Sequence, residues 1–86
     1  MKAIIMTEAH KKELREASAR LAQALIAKEP TRKALMDKLG ISRSYLSLLR
    51  SGHRIASLEL CRRIQKVYPD LTPLCIAIQI KKIDLF

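Results

Sequence analysis

The 86-residue sequence has no tryptophan, two tyrosines and one phenylalanine. That scarcity argues against single-strand and RNA binders, which stack unpaired bases on aromatic platforms. Its two cysteines, Cys61 and Cys75, lie fourteen positions apart, which suits neither a disulfide framework nor a Cys-x-x-Cys knuckle. Reduced thiols and a cytoplasmic location are the reading. The longest unbroken apolar run is five residues, Leu74 to Ile78, too short to span a bilayer. Met1 to Met6 is too short for a signal-peptide core and runs into a charged segment. Glycine and proline together number five, and no repeat or low-complexity tract is visible. No paired carboxylates, nucleophile–base set or phosphate loop is present, so the chain reads as a non-enzyme without a cofactor. A metal site would need His10, His53, Cys61 and Cys75 to converge from scattered positions, and none is expected.

What the sequence has in excess is positive charge. Seventeen Lys and Arg stand against eight Asp and Glu, for a net charge of +9. The excess is concentrated: residues 1–27 carry +2, residues 28–66 carry +7, and residues 67–86 carry zero. Such a balance favours a polyanion, either nucleic acid or an acidic membrane surface. Apolar residues make up 49% of the chain, enough for a packed core in one domain spanning 1–86. A core this small is thin, and a partner subunit would help it.

The helical signals are local and consistent. Thr7 can cap a first helix over about residues 8–28, in which Leu14, Ala17, Leu21, Ala24 and Leu25 recur at helical spacing. Thr31 caps a second, shorter helix carrying Leu35 and Leu39, and Gly40 ends it in the manner of a left-handed C-cap. Ser42 caps a third helix over 43–50, with Leu46 and Leu49 inward and Gly52 beyond its end. Ser57 caps a fourth, where Leu60, Cys61, Ile64, Val67 and Tyr68 share a side, and Pro69 limits it. The C-terminal piece carries two signals. Thr72-Pro73 is a cap followed by an N1 proline, yet Ile76, Ile78 and Ile80 alternate as in a strand. The reading is a fifth helix that gives way to extended chain near Lys82.

Two short helices joined by Gly40-Ile41-Ser42 are the informative arrangement. A three-residue turn sets helices at a steep angle, so the second can project into a major groove. Its outward residues are Arg43, Ser44, Ser47, Arg50 and Ser51. Arginine pairs bidentately with guanine O6 and N7, and serine can contact donors or acceptors.

Residues 31–68 resemble the lambda-repressor-like (Cro/C1, XRE) helix-turn-helix family, on Leu35, Leu39, Gly40, Ile41, Ser42, Leu46, Leu49, Gly52 and the Ser57-Leu58-Glu59 start of the next helix. The resemblance implies an all-α, five-helix DNA-binding domain with its helix-turn-helix at 31–51. It further implies that Arg32 meets the phosphate backbone or buttresses the third helix, and that Ser42 caps that helix and touches a phosphate. Arg43, Ser44 and Ser47 would face base edges. Arg50, His53 and Arg54 would hold phosphates. Leu48 reads as rim packing or a subunit contact ahead of a thymine-methyl reader. Three positions depart from the family. Met36 replaces a small residue where the two helices cross. Ala56 replaces a proline common after the loop, so that loop is expected to be less rigid. Leu49 replaces a frequent aromatic.

Arg62, Arg63 and Lys66 read as a solvated basic face, and Cys61 and Cys75 as core. The Ile-rich ends, 1–6 and 72–86, exceed what one thin core absorbs, which points to a homodimer interface, or else to caps on the monomer core. The functional expectation is a dimeric, promoter-occluding repressor of phage or mobile-element type, including Cro-like and anti-CRISPR-operon repressors, bound to an inverted repeat in double-stranded DNA. With no room for a sensor domain, a small-molecule ligand is not expected. The rival is an antitoxin-type module whose main partner is a protein. A membrane-surface helix is a poorer fit, because the basic residues cluster on a glycine-punctuated motif.

Overall fold

The computed structural model describes residues 8–83, with side chains for 9–81. Five helices follow in order: α1 (Glu8–Ile26), α2 (Arg32–Leu39), α3 (Arg43–Arg50), α4 (Leu58–Val67) and α5 (Thr72–Ile83), with a 3-10 turn at Pro69–Leu71. There is no strand among the described residues.

Three caps set the helix boundaries as their sequence positions require. The hydroxyls of Thr31, Ser42 and Ser57 accept from the backbone N–H of Ala34 (3.2 Å), Tyr45 (3.1 Å) and Leu60 (3.1 Å). Each satisfies one of the four N–H groups that a helix start leaves without an internal partner. The expected cap at Thr7 lies outside the described residues, as do Ile4, Ile5, Met6, Leu85 and Phe86.

The core is one cluster drawn from every helix. Leu14, Leu21, Ala22 and Leu25 come from α1, Leu35 and Leu39 from α2, Leu46 and Leu49 from α3, Leu60, Cys61 and Ile64 from α4, and Cys75 and Ile78 from α5. α1 is the platform, packed against both α3 and α5, while α4 packs against α2 and α5. Truncating an anchor such as Leu49 to alanine should cost about 2–5 kcal/mol, through lost transfer energy and the cavity left behind.

α5 resolves the C-terminal ambiguity. Leu71, Cys75 and Ile78 form one buried stripe at helical spacing, while Ile76 and Ile80 point outward. Packing of that stripe outweighs β-branched propensity. The helix runs through Lys82 to Ile83 instead of giving way to extended chain there. Val67 is a second correction, since it lies 39% exposed rather than sharing the buried side of α4.

Polar ties fix the α1–α2 link against α4. Tyr68 Oη donates to Glu29 Oε2 at 2.7 Å, and Lys38 Nζ donates to the same oxygen at 2.9 Å. These two donors hold the Glu29 carboxyl below its ordinary range, and burial with the same bond pushes Tyr68 up to about 12. Lys28 pairs with Asp70 beside them, and Lys81 with Glu13 joins α5 to α1.

Candidate nucleic-acid interface

The turn between α2 and α3 is built from three features. Gly40 sits at φ +66, a left-handed conformation costly for any residue with a Cβ. Its N–H and that of Ile41 both donate to the Met36 carbonyl, at 2.8 and 3.3 Å. Arg63 of α4 then reaches across, its Nη1 donating to the Leu39 carbonyl at 3.1 Å and lying 3.5 Å from that of Gly40. A Cβ on Gly40 would come within 3.3 Å of that guanidinium. Arg63 is therefore a C-cap supplied to α2 by α4, held also by Glu59 one turn earlier, and not merely part of a solvated face. Met36 packs partly buried against the core.

With the turn set, α3 presents a defined outer face. At about 100° per residue, the exposed side chains run around the helix in the order Arg50, Arg43, Ser47, Ser51, Ser44, Leu48, an arc of about 160°. Leu46 and Leu49 lie buried opposite, with Tyr45 half-buried beside them. Ser42 spends its hydroxyl on the cap and remains exposed. Arg32, at the first position of α2, is exposed and adjoins α3. Together with Ile26, Arg43, Leu46, Ser47 and Arg50 it lines a cleft of about 160 Å³.

The segment after α3 is tied by several specific contacts. Gly52 takes φ +80. Ser51 Oγ donates to the Leu48 carbonyl at 3.1 Å and lies 2.7 Å from Nδ1 of His53. The Arg54 guanidinium sits 5.8 Å from the centroid of the Tyr45 ring, within cation–π range. The Tyr45 hydroxyl accepts from the Ser57 N–H at 3.2 Å. Finally, the Ala56 N–H donates to the buried Ser18 Oγ of α1 at 2.8 Å. A proline at 56 could not make this bond. In place of a proline ring the chain has a hydrogen bond to α1 at this position.

The structure brings Arg32, Arg43, Ser47 and Arg50 to one cleft. Ser44 and Leu48 lie toward the other edge of the α3 arc, and exposed His53 and Arg54 follow in the loop. Sequence reasoning missed Gln23 of α1, which with Ser47, Arg50 and Ser51 lines a wider depression beside the cleft. Its outward position on α1 was legible, but its proximity to α3 was not. No group of three or more potential metal ligands occurs among the described residues. No described helix is long and apolar enough to cross a membrane.

Among known proteins, the family model described as "Helix-turn-helix" matches residues 12–73, from within α1 to the start of α5. No curated protein and no solved structure matches the chain. The capped helices, the glycine turn and the matched span converge: the chain belongs to the Cro/C1-type (XRE) helix-turn-helix family of DNA-binding transcription regulators.

Proposed function

We propose that residues 1–86 act as one sequence-specific, double-stranded DNA-binding domain that represses transcription as a homodimer on an inverted repeat. The observation that carries this reading is the outer arc of α3, which is free of packing and set with two arginines among small hydroxyls. In this reading α3 lies in the major groove, with Arg43, Ser44 and Ser47 against base edges. Arg32, Ser42, Arg50, His53 and Arg54 contact the flanking phosphates, which fix register and supply most of the affinity. Gln23 extends this contact from α1. Repression is steric: the bound dimer occupies promoter DNA, its own included, and excludes polymerase. The phage or mobile-element setting remains part of the proposal.

Pairing is supported by apolar side chains left outside the core. Ile76 and Ile80 on α5 are 41% and 52% exposed, and Val67 lies at the end of the adjoining helix. A two-fold pair would set two copies of α3 about one helical turn of DNA apart. The same exposed side chains favour the second reading, an antitoxin-type module that binds a different protein.

Selection of bound duplexes from a random pool, with sizing chromatography of the free protein, tests the proposal. A palindromic consensus and a dimer are expected. A consensus without two-fold symmetry, or a monomer on DNA, would overturn the homodimer. Absence of any enriched sequence would overturn specific recognition.

A further inference from the structure

α3 is seated by one kind of force and aimed by another. Leu46 and Leu49 pack it into the core against α1, and apolar burial is non-directional, so it fixes depth better than tilt. Among the described residues, α3 and α4 share no broad packing contact. Their coupling runs through two polar ties instead, and hydrogen bonds are directional.

The first tie holds the entry to α3. The last carbonyls of a helix have no donor within it. At the end of α2, Arg63 Nη1 donates to that of Leu39 at 3.1 Å and lies 3.5 Å from that of Gly40. Glu59 Oε1 lies 3.4 Å from Nε of the same guanidinium. The fork is rigid and planar, so an anchor at Nε aims Nη1 at the turn. Both side chains are exposed, which makes the ion pair itself weak. The bond from an ionised donor to the carbonyl is the stronger part. The second tie grips α3 within its first turn, where Tyr45 Oη accepts the N–H of Ser57, the N-cap of α4, at 3.2 Å.

We infer that Arg63 and Tyr45 are positioning residues for operator recognition: α4, which makes no base contact in the proposed reading, sets the tilt at which α3 enters the groove. The consequence rests on the DNA-binding reading, and the mechanism on the two ties. Without a tie, α3 samples tilts in which Arg43, Ser44 and Ser47 miss the base edges. Apparent affinity then falls with the fraction of protein in the competent tilt. Phosphate contacts supply nonspecific affinity and tolerate such play, so the loss falls on discrimination between duplexes.

The test uses the full chain, well below its melting temperature. Arg63→Met removes the donors. Arg62→Met is the control, removing an equal charge from an exposed neighbour on the same helix. Tyr45→Phe deletes the acceptor and changes no charge. Arg63→Met and Tyr45→Phe should each weaken the selected duplex by about 3- to 10-fold, the equivalent of one hydrogen bond. Scrambled duplex should lose no more than it does with Arg62→Met. Residual dipolar couplings of the free protein report the orientation of α3 against α4, and both variants should shift it. A role confined to stability lowers the melting temperature but leaves discrimination and couplings as in the wild type. Couplings of α3 that overlay those of the wild type in both variants, or equal losses on the two duplexes, would overturn the inference. Should Arg63→Met fail to fold, Tyr45→Phe carries the test. Wild-type protein that prefers no duplex defeats the DNA-binding reading, whereas the couplings decide the ties without any DNA.

Discussion

Ser18→Ala is the most informative single change outside the interface. Ser18 is wholly buried in α1, and its hydroxyl accepts the Ala56 N–H at 2.8 Å. Removing the hydroxyl deletes one small atom, so cavity formation contributes little. The dominant cost is a buried backbone N–H left without an acceptor, about 1–3 kcal/mol. For a domain of this size each kcal/mol lowers the melting temperature by roughly 4–8 °C, so a loss near 2 kcal/mol predicts a fall of about 8–16 °C. Thermal unfolding followed by far-UV circular dichroism reads the fall, and hydrogen exchange at the Ala56 amide reads its cause. A double-mutant cycle with Ala56→Pro sharpens the test. Proline removes the orphan donor, so Ser18→Ala should cost far less in that background than in the wild type. A melting temperature within about 2 °C of wild type, or an additive double mutant, would show that the bond does not hold the loop.

Arg43→Ala should weaken binding to the selected duplex by about 1–3 kcal/mol while leaving scrambled duplex nearly unaffected. Equal losses in gel-shift titrations on both would make Arg43 a phosphate contact. Arg32→Glu places an acid at the N-terminus of α2 and should stabilise the fold by about 1 kcal/mol while abolishing duplex binding; a lower melting temperature would contradict the dipole argument. The carboxyls of Glu13, Glu29 and Asp70 are held below their ordinary values by Lys81, by Lys38 with Tyr68, and by Lys28 respectively. Their contribution to stability is therefore complete above the unfolded carboxylate pKa and is lost as pH falls through the lower folded values. Melting temperatures measured down an acid series should show Glu29→Gln less stable than wild type at neutral pH and converging with it in acid; parallel curves would refute the assignment. Burial beside Cys61 pushes the Cys75 thiol up to about 12. Maleimide should thus label it only through unfolding, and rapid labelling of native protein would show an open core.

Much of the scaffold is legible in the sequence because its signals are local. Thr31, Ser42 and Ser57 each act on a residue three positions away, and Gly40 acts on its own backbone. The alternation of Ile76, Ile78 and Ile80 misleads because it reads as one face of a strand, whereas on the helix Ile78 turns inward and Ile76 and Ile80 outward. Only the long-range burial of Leu71, Cys75 and Ile78 separates the two readings. The site divides the same way. Arg43, Ser44, Ser47 and Arg50 follow from helical phase once Leu46 and Leu49 are placed inward. Ser18, Gln23 and the Arg63 cap do not, because Ser18 and Arg63 find partners 38 and 24 positions away, and Gln23 meets α3 only through tertiary packing. Tyr45 gives no hint in the sequence that its ring meets Arg54 and its hydroxyl holds the entry to α4.

The two left-handed glycines bracket a short stretch in which docking and the proposed base reading fall on different side chains. Ile41, Tyr45, Leu46 and Leu49 seat it, and the other positions are exposed. The segment between Gly40 and Gly52 is in effect an exchangeable cassette. On the proposed reading, a new operator preference would be acquired by rewriting positions 43, 44 and 47 without renegotiating the globule beneath, so diversification of target and preservation of architecture would proceed independently.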